Sequence, residues 1–259
     1  MRKSLYSEER KKQILDYIQK NGKASVQELT EVFRVSESTI RRDLKELEDA
    51  KLLKRAHGGA LSLQNVNFEP SFGEKKVILS REKQAIAKKA AELIEEGETI
   101  LLDAGTTTFE LAGQLMKFSN LTVITNDINI SRELLPHPGI EVMVIGGMLR
   151  KATHAMVGPV AEQALNMVRV DKLFLAINGF DLAAGLTTPN LIEAATKRKM
   201  IKIAKQVILL ADHSKVGKVT QARVADITEI HQVILDHAVD DDFIKQLKTT
   251  GITVHLVRP

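Results

Sequence analysis

Apolar residues over the first sixty positions recur at three- and four-residue steps, the period of an amphipathic helix. Ser7 is a natural N-cap for a helix over residues 7–21. Glu8 and Glu9 suit the positive end of its dipole, Ile14, Leu15 and Ile18 supply its buried side, and Gly22 ends it. Ser25 and Glu28 make a capping box for a second helix over residues 25–33, with Val26, Leu29 and Phe33 turned inward. Arg34-Val35 is a short turn. A third helix is expected over residues 36–49, capped by Ser36, with Val35, Ile40, Leu44 and Leu47 on one stripe. Residues 52–61 read as two short strands about a Gly58-Gly59 turn. Three helices and a basic hairpin predict a winged helix-turn-helix domain over residues 1–62.

The pattern then changes. Residues 63–79 hold Pro70 and Gly73 with no steady period, and predict a linker. Ser80 is expected to cap a helix over residues 81–95 whose inner side is Ile86, Ala90, Leu93 and Ile94. From position 99 short apolar runs alternate with helical segments. Strands are expected at 99–102, 121–125, 141–145, 172–176, 207–211, 233–235 and 253–256. Helices near 109–116, 128–135, 160–167, 193–205 and 241–249 separate most of them. Such alternation predicts a Rossmann-like, mostly parallel α/β domain over residues 80–259, with helices on both faces of its sheet.

Composition narrows the chemistry. The chain has no cysteine, which excludes disulfides and thiolate-metal sites and suits a reducing compartment. No apolar run approaches the ~18 residues of a membrane span, so a cytoplasmic protein without a membrane partner is expected. The seven His lie at no metal-ligand spacing, and neither a GxGxxG fingerprint nor a Walker A sequence occurs. No metal and no cofactor are expected. Charge is uneven: residues 1–63 hold 14 Lys+Arg against 10 Asp+Glu, whereas residues 64–259 hold 23 of each. All of the net +4 therefore lies in the first quarter, which suits binding to a polyanion.

The third helix supplies the chemistry for double-stranded DNA. Ser36, Ser38, Thr39, Arg41, Arg42 and Lys45 occupy its polar face, mostly in the first two turns that meet base edges in helix-turn-helix proteins. Lys54, Arg55 and His57 make the wing basic. A helical protein-interaction module would share the helices but not the basic wing.

A parallel sheet binds ligands beyond the C-terminal ends of its strands. There the first strand runs into Asp103-Ala104-Gly105-Thr106-Thr107-Thr108: a glycine for close approach, three hydroxyls, and a helix N-terminus. This is either a phosphate cradle or an ordinary capped turn. Thr125-Asn126-Asp127, Asn178-Gly179-Phe180-Asp181 and Asp212-His213-Ser214-Lys215 end other strands. Four polar strand ends together favour a sugar-phosphate pocket. The run Lys197-Arg198-Lys199 reads as a solvated helix face from which Arg198 reaches toward an anion.

The segments Ser38-Thr39-Ile40-Arg41-Arg42-Asp43-Leu44 and Arg55-Ala56-His57-Gly58-Gly59-Ala60 resemble the DeoR family of bacterial transcriptional regulators, and the resemblance covers nearly the whole chain. It implies a repressor of a sugar-utilisation operon, acting as a dimer or tetramer, with an effector domain similar in fold to ribose-5-phosphate isomerase. It further implies that Gly105 to Thr108 and Lys215 hold a phosphate, while Thr125, Asn126, Asp127 and Asp181 face the sugar. The alternative is an aldose-ketose isomerase. Against it, Asn178 stands where the isomerase has the first Asp of its Asp-Gly-Ala-Asp motif, and Lys199 stands where it has a catalytic Glu. No catalytic residue is expected.

Overall fold

The helical period of the first sixty residues produces α1 (Ser7–Asn21), α2 (Val26–Phe33) and α3 (Glu37–Asp49). A computed structural model describes residues 7–50, 52–56, 58–62 and 69–259 of the chain, which forms two units, Met1–Phe68 and Glu69–Pro259. In the first unit Ser25 and Glu28 close the capping box on α2, and the Ser36 hydroxyl accepts from the Thr39 N–H at 3.3 Å. Ile14, Ile18, Leu29, Ile40, Leu44 and Leu47 meet in one core. The expected hairpin is β2 (Leu53–Ala56) and β3 (Gly59–Ser62), joined by a third strand, β1 (Lys23–Ser25), in the order β1-β3-β2. That strand is too short to show alternation in the sequence. Gly59 allows it: a Cβ there would lie 2.2 Å from the Ala24 carbonyl oxygen.

In the second unit the elements follow as α4 (Phe72–Val77), α5 (Ser80–Ala91), β4 (Thr99–Leu102), α6 (Thr106–Gln114), β5 (Leu121–Thr125), α7 (Ile128–Leu134) and β6 (Ile140–Val144). Next come β7 (Met148–Leu149), β8 (Met156–Val157), α8 (Pro159–Asn166), β9 (Val170–Ala176), β10 (Gly179–Asp181), β11 (Gly185–Thr188) and α9 (Leu191–Ile203). The unit closes with β12 (Ala204–Ala211), β13 (Ala222–Ala225), β14 (Gln232–Asp236), α10 (Asp241–Thr249) and β15 (Thr253–Val257). Seven strands pair in the order β15-β14-β12-β9-β4-β5-β6, every neighbour parallel. Alternate residues of each apolar strand serve opposite faces. Leu101, Leu173, Leu175 and Leu209 pack with α8, α9 and α10, whereas Ile100, Leu102, Phe174, Ile208 and Leu210 pack with α5, α6 and α7. The chain leaves β4 toward β5 and returns to its other side with β9, so the crevice of a doubly wound sheet opens where β4 and β9 end.

Several expectations need correction. Helix α4 lies within the stretch read as linker; Ser71 and Glu74 form a capping box for it. Ser80 is not the N-cap of α5, since Leu79 takes that place in the left-handed region at φ 53. Helix α6 begins at Thr106, three residues before the expected start, because β-branched threonines mask a first turn. A second, antiparallel sheet of order β10-β11-β13 also forms, from strands of three and four residues.

Candidate nucleic-acid interface and effector site

On α3 the side chains expected to meet DNA share one face. The hydroxyls of Ser36, Ser38 and Thr39 cluster at 2.9 Å, Arg41 pairs with Glu37 at 3.1 Å, and Arg42 and Lys45 are exposed. Lys54 and Arg55 are exposed on β2, and the Arg55 N–H donates to Glu48 at 2.8 Å, tying the wing to α3. His57 lies outside the described residues. One supporting residue carries no functional pattern of its own. Asp43 sits between Arg42 and Lys45, yet it is buried, and the Arg10 guanidinium of α1 donates to both its oxygens at 2.6 and 3.0 Å. The hydrogen bond to Asp43 raises the Arg10 pKa above its ordinary value against the opposing effect of burial. This bidentate pair fixes the rotation of α3 on α1. The signal was a carboxylate on the apolar stripe, three residues after Ile40.

At the other site, β4 ends in buried Asp103, and Gly105 precedes α6. Gly105 is needed for space: a Cβ there would lie 2.6 Å from the Ala176 Cβ at the end of β9. Thr106, Thr107 and Thr108 form the first turn of α6, whose free N–H groups suit an anion. Thr108 donates its hydroxyl hydrogen to the Gly105 carbonyl at 2.9 Å. Thr125, Asn126 and Asp127 line the same crevice but are engaged in holding it. Thr125 donates to the Leu102 carbonyl at 2.8 Å, Asn126 accepts from the Ala104 N–H at 2.9 Å, and Asp127 caps α7. Burial pushes the Asp127 pKa up to about 6, against the backbone N–H groups of Asn129 and Ile130. Oδ1 of Asp103 and Oδ2 of Asp127 are buried acceptors without a donor among the described residues.

Helix α5 adds Lys83, which reads in the sequence as one more surface lysine. It is buried, and its ammonium donates to the carbonyls of Lys75 and Ile78 at the end of α4. Burial lowers its pKa to about 8; Asp212 opposes that shift, and Lys215 adds to it. Lys215 lies 3.8 Å from Asp212, whose other oxygen accepts from the Ser214 N–H at 3.0 Å. Burial raises the Asp212 pKa, but Lys215 and Ser214 outweigh it and hold the carboxyl below its ordinary range. Lys83 thus lies within electrostatic reach of Asp212 and Lys215, and of Glu110 on α6.

A partly buried ionic chain runs beside them. Lys75 meets Glu69 at 3.0 Å, Glu69 meets Arg150 at 2.8 Å, Arg150 meets Glu193, Glu193 lies 3.5 Å from Lys197, and Lys197 meets Asp103. Lys197 belongs to the run expected on a solvated face, and this is corrected: it is 2% exposed. Burial lowers its pKa, but Asp103 and Glu193 outweigh that and keep it charged. Asn178 joins the chain through Glu69 at 3.4 Å. Arg198 and Asp181 are not brought to Thr106–Thr108. Arg198 is exposed and donates to the Arg223 carbonyl, while Asp181 caps the β10–β11 turn, accepting from the N–H groups of Ala183 and Ala184 at 2.9 and 2.8 Å.

Residues 10–66 match the DeoR-like helix-turn-helix domain, and residues 79–237 match the DeoR C-terminal sensor domain. The chain belongs to the DeoR family of transcriptional regulators. Among its DeoR-family relatives, the HTH-type transcriptional regulator GlpR of Haloferax volcanii is 39% identical over 95% of this chain and 96% of its own. The transcriptional repressor AccR of Agrobacterium fabrum is 37% identical over 89% of this chain and 90% of its own. A structure of D-ribose-5-phosphate isomerase in complex with phospho-erythronic acid aligns at a TM-score of 0.40, with 17% identity over 53% of this chain and 54% of that one. The DeoR-family assignment makes this chain a DNA-binding transcriptional regulator with a sensor domain in its second unit.

Proposed function

We propose that the sensor domain binds a phosphorylated sugar, and that its occupancy sets whether a homo-oligomer holds repeated half-sites of double-stranded operator DNA. One observation carries the reading: β4 runs through Gly105 into the N-terminal turn of α6, where Thr106 and Thr107 add hydroxyls to the free N–H groups, and Lys83 and Lys215 lie within electrostatic reach of each other. A phosphate dianion suits two ammonium groups and free N–H donors. Sugar hydroxyls suit the donorless oxygens of Asp103 and Asp127, since a phosphate oxygen only accepts. Ser36, Ser38, Thr39, Arg41, Arg42 and Lys45 read the operator from α3, with Lys54, Arg55 and His57 on its wing. A single helix-turn-helix makes too few contacts for tight binding, so the regulator, acting as a repressor in the cytoplasm, works as a dimer or tetramer.

The site binds and does not turn over its ligand. Lys197 faces Asp103 inside an ionic chain, Asp181 holds a hairpin turn, and Asn178 brings no carboxylate. Aldose and ketose 5- and 6-phosphates incubated with the pure protein should therefore show no interconversion, and conversion abolished by Asp181→Asn would reinstate the isomerase. The reading itself is tested by thermal shift against a panel of sugar phosphates, then by operator binding across a titration of the compound that raises the midpoint. A flat panel, with inorganic phosphate equally silent, would remove the phosphate from this site.

A further inference from the structure

Hairpin β7–β8 and the first turns of α8 and α9 present an uncovered apolar face. Met148, Val160 and Leu191 are each more than half exposed, and Leu149 and Ile192 more than two fifths. Met148, Val160, Leu191 and Ile192 border a groove of about 470 Å³ in which, among the described residues, Glu162 is the one charged lining residue. The sheet's edge strand β6, which runs on through Gly146 and Gly147 into β7, exposes Met143 and Val144 as well. Native edges are ordinarily blunted by charge, proline or a covering element; here Glu141 supplies a charge early in the strand, while Met143 and Val144 remain exposed.

Fully burying an aliphatic side chain removes roughly 100 Å² of apolar surface from water. The five residues, about half exposed, therefore offer on the order of 300 Å². A standard interface buries about 800 Å² per partner, roughly 60% of it apolar, so this face supplies more than half of the apolar area that a stable dimer needs. The occupant follows from the proposed function, on which this step rests: reading repeated half-sites takes a second copy, and every copy carries the same face. In a twofold contact such a patch meets its own equivalent, and an apolar surface is complementary to itself.

We infer that a second copy of this chain docks on this face, and that the sensor site acts on it through Arg150 and Glu193. Arg150 directly follows Leu149, and Glu193 directly follows Ile192. The two side chains are bonded to each other, and Glu193 leads through Lys197 to Asp103 at the end of β4. A ligand that draws on Asp103 or Lys197 pulls on both elements that carry the face.

The test measures the mass of the full chain by light scattering at micromolar concentration, for wild type, Leu191→Glu, Met148→Glu and, as a control, Leu256→Glu on the opposite sheet edge. Like charges juxtaposed across a twofold contact should weaken the dimer by roughly a hundredfold or more. Wild type and L256E should be dimeric or larger, and L191E and M148E monomeric with thermal midpoints near wild type. A monomeric wild type, or an assembly that survives both L191E and M148E, overturns the inference. Arg150→Gln and Glu69→Gln should each shift dimer affinity several-fold with the apolar face intact; unchanged affinity in both overturns the coupling. Thermal shift of L191E by the sugar-phosphate panel scores the sensor reading separately, so that loss of one proposal leaves the other standing.

Discussion

Helices α3 and α9 each span 13 residues and each carry a run of cations, Arg41-Arg42 on one and Lys197-Arg198-Lys199 on the other. Their fates differ. Arg41 and Arg42 stay in solvent, where the pair of Arg41 with Glu37 contributes ~0–1 kcal/mol and leaves the guanidiniums accessible. Lys197 is sealed between β4 and β9 and commits its charge to Asp103. On α3 the buried charge is instead Asp43, answered by Arg10. A charge run on a helix therefore says nothing about its use until the facing element is known. The exposed cation stays available to a partner from outside, and the buried one is held by Asp103 and Glu193.

Four measurements can break or sharpen that contrast. The largest effect is expected at Lys197. Lys197→Met leaves Asp103 and Glu193 short of their countercharge and should cost ~3–5 kcal/mol of stability in denaturant unfolding. A loss below ~1 kcal/mol would make Lys197 no more committed than Arg41. Next comes the effector. Lys215→Ala, and less so Thr107→Val, should weaken sugar-phosphate affinity by roughly ten- to a hundredfold, since a hydrogen bond to a charged group contributes ~1.5–3 kcal/mol. Operator affinity without effector should stay near wild type. Overlapping effector titrations of variant and wild type would move the ligand elsewhere.

On α3, Arg41→Ala or Arg42→Ala should leave folding intact and weaken operator binding. A lost base contact costs ~1–3 kcal/mol and relaxes sequence preference, whereas a lost phosphate contact lowers the salt slope by about one. Binding unaltered in both variants at matched salt would take the reading away from this helix. The smallest effect is a pH slope. Because burial sets the Lys83 pKa at about 8, an anion that needs its ammonium should bind progressively less well above that pH, approaching tenfold per unit. Lys83→Met should flatten the slope, and a wild-type affinity constant from pH 7 to 10 would exclude Lys83 from the anion site. The linked stability has the opposite sign: between about 8 and its ordinary value Lys83 holds more protons unfolded than folded, so the penalty for burying it fades as pH rises.

The sequence by itself determined what depends on near neighbours. Apolar spacing delivered α1, α2 and α3, the caps at Ser25 and Ser36 fell where hydroxyl and backbone meet within three residues, and the seven apolar runs became the seven parallel strands. The polar strand ends were legible too, since Asp103, Gly105 and Thr106 to Thr108 form one stretch at one turn. Only the tertiary structure decided which charges lie inside. Arg10 and Asp43 are 33 positions apart, and Lys197 and Asp103 are 94 apart. Lys83 looks like any surface lysine until α4 folds its last carbonyls onto it. Secondary structure follows from torsional preference and hydrogen bonds a few residues long. Burial of a charge is decided by which distant element supplies its counterpart, because an unpaired charge in that place would not be tolerated.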